Sequence, residues 1–385
     1  MISTTAVMET QFAERFREII KAETDPELRK LREEAFAAFS LSGFPTAKNE
    51  DWKYSSVAPI AKETWKVAPF STDFSPASEN SGEKLAAFNF RRNGFTALNL
   101  AFADLKVVRI PKETSVAEPI EFNFAADENA AIFPHIIVIA EAGSKVTIVE
   151  SYASTTKSFT NAAIQIVVDD NANVTHYRVQ KDAPEAFNVG TTEVTLGRGS
   201  RYDSTNINLG AALSRHDIDL KFTAEGGEAF VDGLYMLNGS QHHDTHSIID
   251  HTVPNCTSHQ TYKGVLNDTS RGVFNGKVFV RENAHGTDAQ QSNKNLLLSD
   301  TARVDTKPQL EIFNDDVKCS HGATVGQLEE EELFYLLTRG LPETLAKNLL
   351  TYGFAEAIIR KIGIESIKSD LDAAVLNRLS VKLEV

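Results

Sequence analysis

The chain has only two cysteines in 385 residues, Cys256 and Cys319. Two cannot build the framework of bridges that holds small secreted domains together, and they suit a reducing compartment. Long apolar runs are missing too. The longest, around Ile136 to Ala140, falls far short of the roughly 20 residues that a membrane helix needs. Met1 to Phe16 carries glutamate and lacks the basic flank and apolar core of a secretory leader. Positive charge is in the minority: 39 Lys and Arg against 53 Asp and Glu give a net charge of −14. Phosphate backbones repel such a chain, and Arg91-Arg92 is too short a basic cluster to offset that. Several chemistries lack their motifs as well. There is no Walker-type phosphate loop and no Gly-x-Ser-x-Gly elbow, and Gly197-Arg198-Gly199 lacks the downstream glycine of a dinucleotide turn. The expectation is a cytoplasmic, partner-binding protein that engages neither nucleic acid nor membrane.

What is present falls into three zones: 1–87, 88–325 and 326–385. Residues 8–40 read as two helices, with Phe12, Phe16 and Ile19 or Ile20 at helical spacing in the first. Asp25-Pro26 opens the second, whose apolar stripe is Leu28, Leu31, Ala35 and Phe39. Pro45 to Tyr54 then offers Trp52 and Tyr54 as aromatic anchors for a docking loop. From about Phe88 to Phe313 the residues are branched and turn-bounded, as in Ile136-Ile137-Val138-Ile139 and Ile164-Gln165-Ile166-Val167-Val168. Turn residues Ser144, Ala172, Ser200 and Gly227 recur at steps of 28, 28 and 27. Near-constant steps without intervening helical patterns predict a β-solenoid, with a double-stranded β-barrel as second choice. After Gly326 helical patterns return: Glu329 to Glu332 favour a helix N-terminus, and Leu333, Phe334 and Leu337 follow before Arg339-Gly340. Leu345, Leu349, Leu350 and Phe354 mark the next helix, and Ser366 to Leu379 a last one. These helices are either a docking element or a cap over the last coil.

Two constellations could carry chemistry. Cys319 and His321 stand two apart in an extended stretch, so they share a face and make half of an iron or zinc site. The rest would come from elsewhere in the fold, a partner or sulfide. The bland reading is a buried thiol beside a hydrogen-bonded histidine. The second is a histidine cluster between 242 and 259. His242, Asp244 and His246 would share a strand face with the spacing of a cupin metal site, which predicts a metal-dependent enzyme on a double-stranded barrel. Glutamate is absent from 229–281, so a further carboxylate ligand would have to be Asp250. Against the cupin stands a metal-free polar ladder.

A resemblance covers the whole length and is densest over the last third. Val273-Phe274-Asn275-Gly276-Lys277-Val278, Asn293-Lys294-Asn295-Leu296-Leu297-Leu298-Ser299, Pro308-Gln309-Leu310-Glu311-Ile312, Asp316 to Thr324, and Leu333-Phe334-Tyr335-Leu336 with Arg339-Gly340 resemble the SufB/SufD family of iron–sulfur cluster assembly scaffolds. Pro45, Glu50, Trp52, Lys53 and Tyr54 look like its N-terminal element, and His243, Asp244 and His251 fit its central stretch. Cys319-Ser320-His321-Gly322-Ala323 stands where SufB reads Phe-Glu-His-Glu-Ala, and Asn293 falls at about the place of SufB's sulfur-accepting cysteine. Both departures resemble the SufD branch. The resemblance implies a mainly β chain: a right-handed parallel β-helix flanked by N- and C-terminal helical regions. It also implies a non-catalytic scaffold that pairs with SufB and binds the ATPase SufC through C-terminal helices bearing Leu333, Phe334, Arg339, Gly340 and Phe354. His321, and with it Cys319, would then hold a transient iron–sulfur cluster shared with SufB. ATP would sit on SufC, and reduced flavin is associated with the assembled complex. Whether the lone chain forms a homodimer through the same edge stays open.

Overall fold

The computed structural model describes residues 4–69, 85 and 87–379, with side chains from Phe12 onward. Of the 1–87 zone, residues 1–3, 70–84 and 86 therefore lie outside the description. The body is a parallel β-helix. Its strands alternate between two sheets, and every ladder is parallel. The eight-stranded sheet runs from Ile120–Phe124 through Lys145–Tyr152, Asn173–Gln180, Arg201–Asn208, Glu228–Leu237, Thr257–Leu266 and Thr287–Leu297 to Val317–Gly326. The ten-stranded sheet includes Pro134–Ala140, Phe159–Val168, Phe187–Leu196, Leu213–Phe222, His242–His251 and Arg271–Val280, and ends at Arg303–Ile312.

The repeat in the sequence is one coil. Lys145, Asn173, Arg201 and Glu228 are ladder partners at steps of 28, 28 and 27. At the corner preceding them, Asn173 N donates to Ser144 O, Arg201 N to Ala172 O, Glu228 N to Ser200 O and Thr257 N to Gly227 O, all within 2.9 Å. Asp288 N continues the file to Cys256 O at 3.1 Å. Cys256 is thus the bulkiest member of a file of small buried corner residues, and packing accounts for it.

Strands buried on both faces read as unbroken apolar runs, and Pro134–Ala140 is buried throughout. Inward side chains, among them Ile148, Val174, Tyr202, Ile218 and Phe274, fill the lumen. On the outside, Phe159, Phe187, Val189 and Leu213 of the ten-stranded sheet meet Phe12, Phe39, Trp52 and Phe95. These belong to the helices Thr4–Ala22, Pro26–Ser42 and Gly94–Phe102 and to the turn Glu50–Trp52. On the opposite side, Val149, Tyr177, Ile207, Leu234 and Met236 of the eight-stranded sheet meet Ile358, Ile359, Leu371 and Val375. The helical regions therefore cover two opposite flat sides of the solenoid. Of the two alternatives for the C-terminal helices, a cap over the last coil does not describe Glu343–Ile359 and Glu365–Arg378, whose apolar faces pack on the sheet's outer face instead.

The lumen also holds polar rungs. Glu150, buried, bonds His176 and Tyr152, and His176 Nδ1 lies 2.8 Å from Tyr202 OH. Burial alone would raise the Glu150 carboxyl, but His176 and then Arg178 outweigh it and hold it below its ordinary value. Glycine makes room where large side chains cross: a Cβ at Gly264 would overlap Tyr235 and Asn295.

Candidate functional site

The solenoid ends bare. Arg303–Ile312 and Val317–Gly326 are the last strands of their sheets, each laddered on one side only. Cys319, His321, Ala323 and Val325 stand in register with Ala289, Gln291, Asn293 and Asn295, all buried inside the preceding coil. The terminal row therefore continues the lumen row, and among the described residues no further strand pairs above it. Cys319 packs against the lumen core, and burial pushes its thiol above the ordinary value. His321, two residues on, shares that inward face and is exposed. Ile312, Phe313 and Val325 add an exposed apolar rim, 42 to 55% accessible. One soft sulfur donor and one imidazole thus sit side by side on an open edge. Two donors are half of a tetrahedral site. Among the described residues no group of three or more His, Cys, Asp and Glu is arranged to hold a metal.

The histidine cluster has a different fate. His242, Asp244 and His246 do share a face, the outer face of the ten-stranded sheet, where the N-terminal turn covers them. Ser55 Oγ lies 2.7 Å from His242 Nε2 and donates to Asp244 Oδ2 at 2.5 Å. Arg215 reaches Asp244 Oδ2 and Asp217 at 2.8 Å each and donates to Asp51 O at 2.6 Å. Its guanidinium stacks 3.7 Å from the Trp52 ring centroid. His246 Nε2 lies 3.1 Å from Asp244 Oδ1. Burial would raise the Asp244 carboxyl, but Arg215, then His246 and Ser55, hold it well below the usual carboxylate range. His243 and His251 point the other way, into the lumen, bonding Ser214, Thr245 and Ser258. Burial pushes His243 down to about 3 and His251 to about 4, so both are neutral lumen rungs. The cupin reading fails on architecture, since that barrel is antiparallel and this solenoid is parallel throughout. Its three residues, Asp244 and His246 buried and His242 half-buried, form a polar lock between the docking turn and the sheet.

The residues expected on docking helices separate into two groups. Leu333 and Phe334 lie on the helix Glu330–Thr338, which buries none of its residues, and Arg339 and Gly340 end it. Phe334 is 68% and Tyr335 56% accessible. Phe354 instead turns onto the solenoid: Lys263 Nζ sits 4.5 Å from its ring centroid and donates to its carbonyl at 3.0 Å. It helps anchor the second helix rather than furnish the exposed surface.

A parallel β-helix with helical regions on two sides, Cys319 and His321 on its last coil and an exposed C-terminal helix agrees with what the comparisons find. The "SUF system FeS cluster assembly, SufBD core domain" model matches residues 122–354, and the "SufBD protein N-terminal region" model matches residues 7–81. The chain belongs to the SufBD family. It is similar to an iron–sulfur cluster assembly SufBD family protein of Synechocystis, 38% identical over 295 residues, which are 73% of this chain and 65% of that one. It is also similar to the iron–sulfur cluster assembly protein SufD of Escherichia coli, 29% identical over 382 residues, 88% of this chain and 90% of that one. SufD of Bacillus subtilis is 29% identical over 273 residues, 69% and 62% of the two chains. This SufBD-family chain is thus an iron–sulfur cluster assembly protein homologous to SufD.

The sequence missed several members of these sites. Arg215 and Ser55 bear on the histidine cluster only once coiling brings distant strands together. Gln291 underlies the open end, Thr306 lies on it, and neither carries a motif. Spacing by one coil from His321 is the signal that finds Gln291, 30 residues upstream by the ladder pairing.

Proposed function

We propose that this chain is a non-catalytic, cytoplasmic scaffold subunit that pairs with SufB through its terminal coil and binds SufC through its exposed C-terminal helix. The observation that carries the proposal is the bare terminal strand with Cys319 and His321 on one face. Half a ligand set on an unpaired edge is what one member of a heterodimer needs. In this reading His321 and Cys319 ligate the nascent cluster, and SufB supplies thiolate from the facing edge. The cluster is cargo, assembled and passed on. ATP is bound and hydrolysed on SufC, whose docking surface here includes Leu333, Phe334 and Arg339, and reduced flavin belongs to the assembled complex. Without SufB, the same edge would serve a homodimer.

The test is co-purification of the tagged chain with its cognate SufB and SufC, followed by anaerobic iron and sulfide analysis. Cluster is expected on the three-component complex only, and lost in His321→Ala while the complex persists. Full cluster content in that variant would sink the ligand assignment, and loss of the complex would make the residue structural. Phe334→Asp is expected to release SufC while leaving SufB bound.

A further inference from the structure

The rung beneath the open end holds a polar group with an unused end. Gln291 is 3% exposed, and its Oε1 has no hydrogen-bond partner among the described residues. Its Nε2 donates to Gln260 Oε1 at 2.8 Å, and Gln260 Nε2 lies 2.9 Å from Ser247 Oγ. With one N–H of the amide donated in that direction, the oxygen is the free acceptor. The other carboxamides of the row are used up: Asn295 donates to Asn293 Oδ1 at 2.7 Å, and Asn295 Oδ1 accepts from Tyr235 OH. Room has been made for Gln291, since a Cβ on Gly276 across the lumen would overlap its carboxamide. A buried acceptor left unmade is costly, so such a group calls for a donor.

The ladder gives the neighbour of Gln291 on the next coil. One coil further on, Gly276 gives way to Pro308 and Gln291 to His321. Neighbouring strands are about 4.8 Å apart, so His321 is the residue one rung beyond Gln291 on the same face. Thr306 on the facing terminal strand also has an unpartnered Oγ1. We infer that Gln291 is the positioning residue of His321: its Oε1 accepts the one N–H of the neutral imidazole, and the other ring nitrogen presents its lone pair out of the open end to iron. Which nitrogen of a histidine ligates is set by the hydrogen bond the other makes. Gln291 itself touches no metal. The inference rests on His321 being a cluster ligand and deepens that reading.

The experiment is long-range proton–nitrogen NMR of the full chain labelled with 15N-histidine, at pH 9 where imidazole is neutral. The His321 signals are assigned by their absence from His321→Ala. One dominant tautomer is expected in the wild type, the mixture of a solvent-exposed histidine in Gln291→Leu, and recovery of the wild-type tautomer in Gln291→Glu, which keeps the acceptor. A wild-type mixture, or the same tautomer in Gln291→Leu, overturns the inference. Should Gln291→Leu not fold, the wild-type and Gln291→Glu spectra still decide. In the complex with SufB and SufC, Gln291→Leu is expected to retain about 10- to 100-fold less iron. Failure of the two ideas is separable. Full cluster in His321→Ala defeats the ligand reading, whereas a dead His321→Ala with unmoved tautomers defeats only the role of Gln291.

Discussion

The strands His242–His251 and Val317–Gly326 each place a histidine two residues from another potential ligand, on one face. On the first, each member of the set has been taken by Ser55, Arg215 or a neighbour within it, beneath Trp52. On the second, the same spacing lies on the last coil and continues the lumen row at its open end. The spacing is nearly equal, and the neighbours differ. A pattern of donors is a lock when neighbours flank it on both sides, and stays open when one side is missing.

That contrast can be broken from the buried side first. Arg215→Met leaves Asp217 and Asp244 in place without their shared cation. It should cost about 3–5 kcal/mol, read as a lower denaturant midpoint. A loss under about 1 kcal/mol would mean that the lock is not an ion-pair lock. A smaller effect concerns pH. His243 and His251 have folded values depressed to about 3 and about 4. Their neutral burial therefore stabilises fully above the ordinary histidine value near 6.5, and that contribution is lost as pH falls below it. Each should add about 1.4 kcal/mol per pH unit of dependence between pH 6 and 4, so His243→Gln should flatten the curve by about that slope. An unchanged curve would place His243 in contact with solvent. The smallest effect belongs to the open end: His321→Ala should leave the midpoint within about 0.5 kcal/mol of wild type. A larger loss would make the terminal histidine a packing residue.

Much of the fold could be read beforehand because a solenoid writes its period into the chain. Ser144, Ala172, Ser200 and Gly227 announce coil length, since only small groups fit the corner file. The helix Gly94–Phe102 was not legible: all nine of its residues are buried, so no polar face gives it a 3.6-residue rhythm. The two-residue spacing at Cys319 and His321 correctly gave a shared face. Whether that face was free could not be read, because exposure depends on where coiling stops. The same limit hid Arg215, which is 29 residues from Asp244 in sequence and in contact with it in space.

Each coil of such a stack draws its stability from the coil before and the coil after. The terminal coil has only the one before, so its amides should exchange with solvent sooner than those of the middle coils. Whatever seats itself on Arg303–Ile312 and Val317–Gly326 supplies the missing neighbour. Docking and local ordering are then a single equilibrium, and a metal held across that junction would tighten both at once.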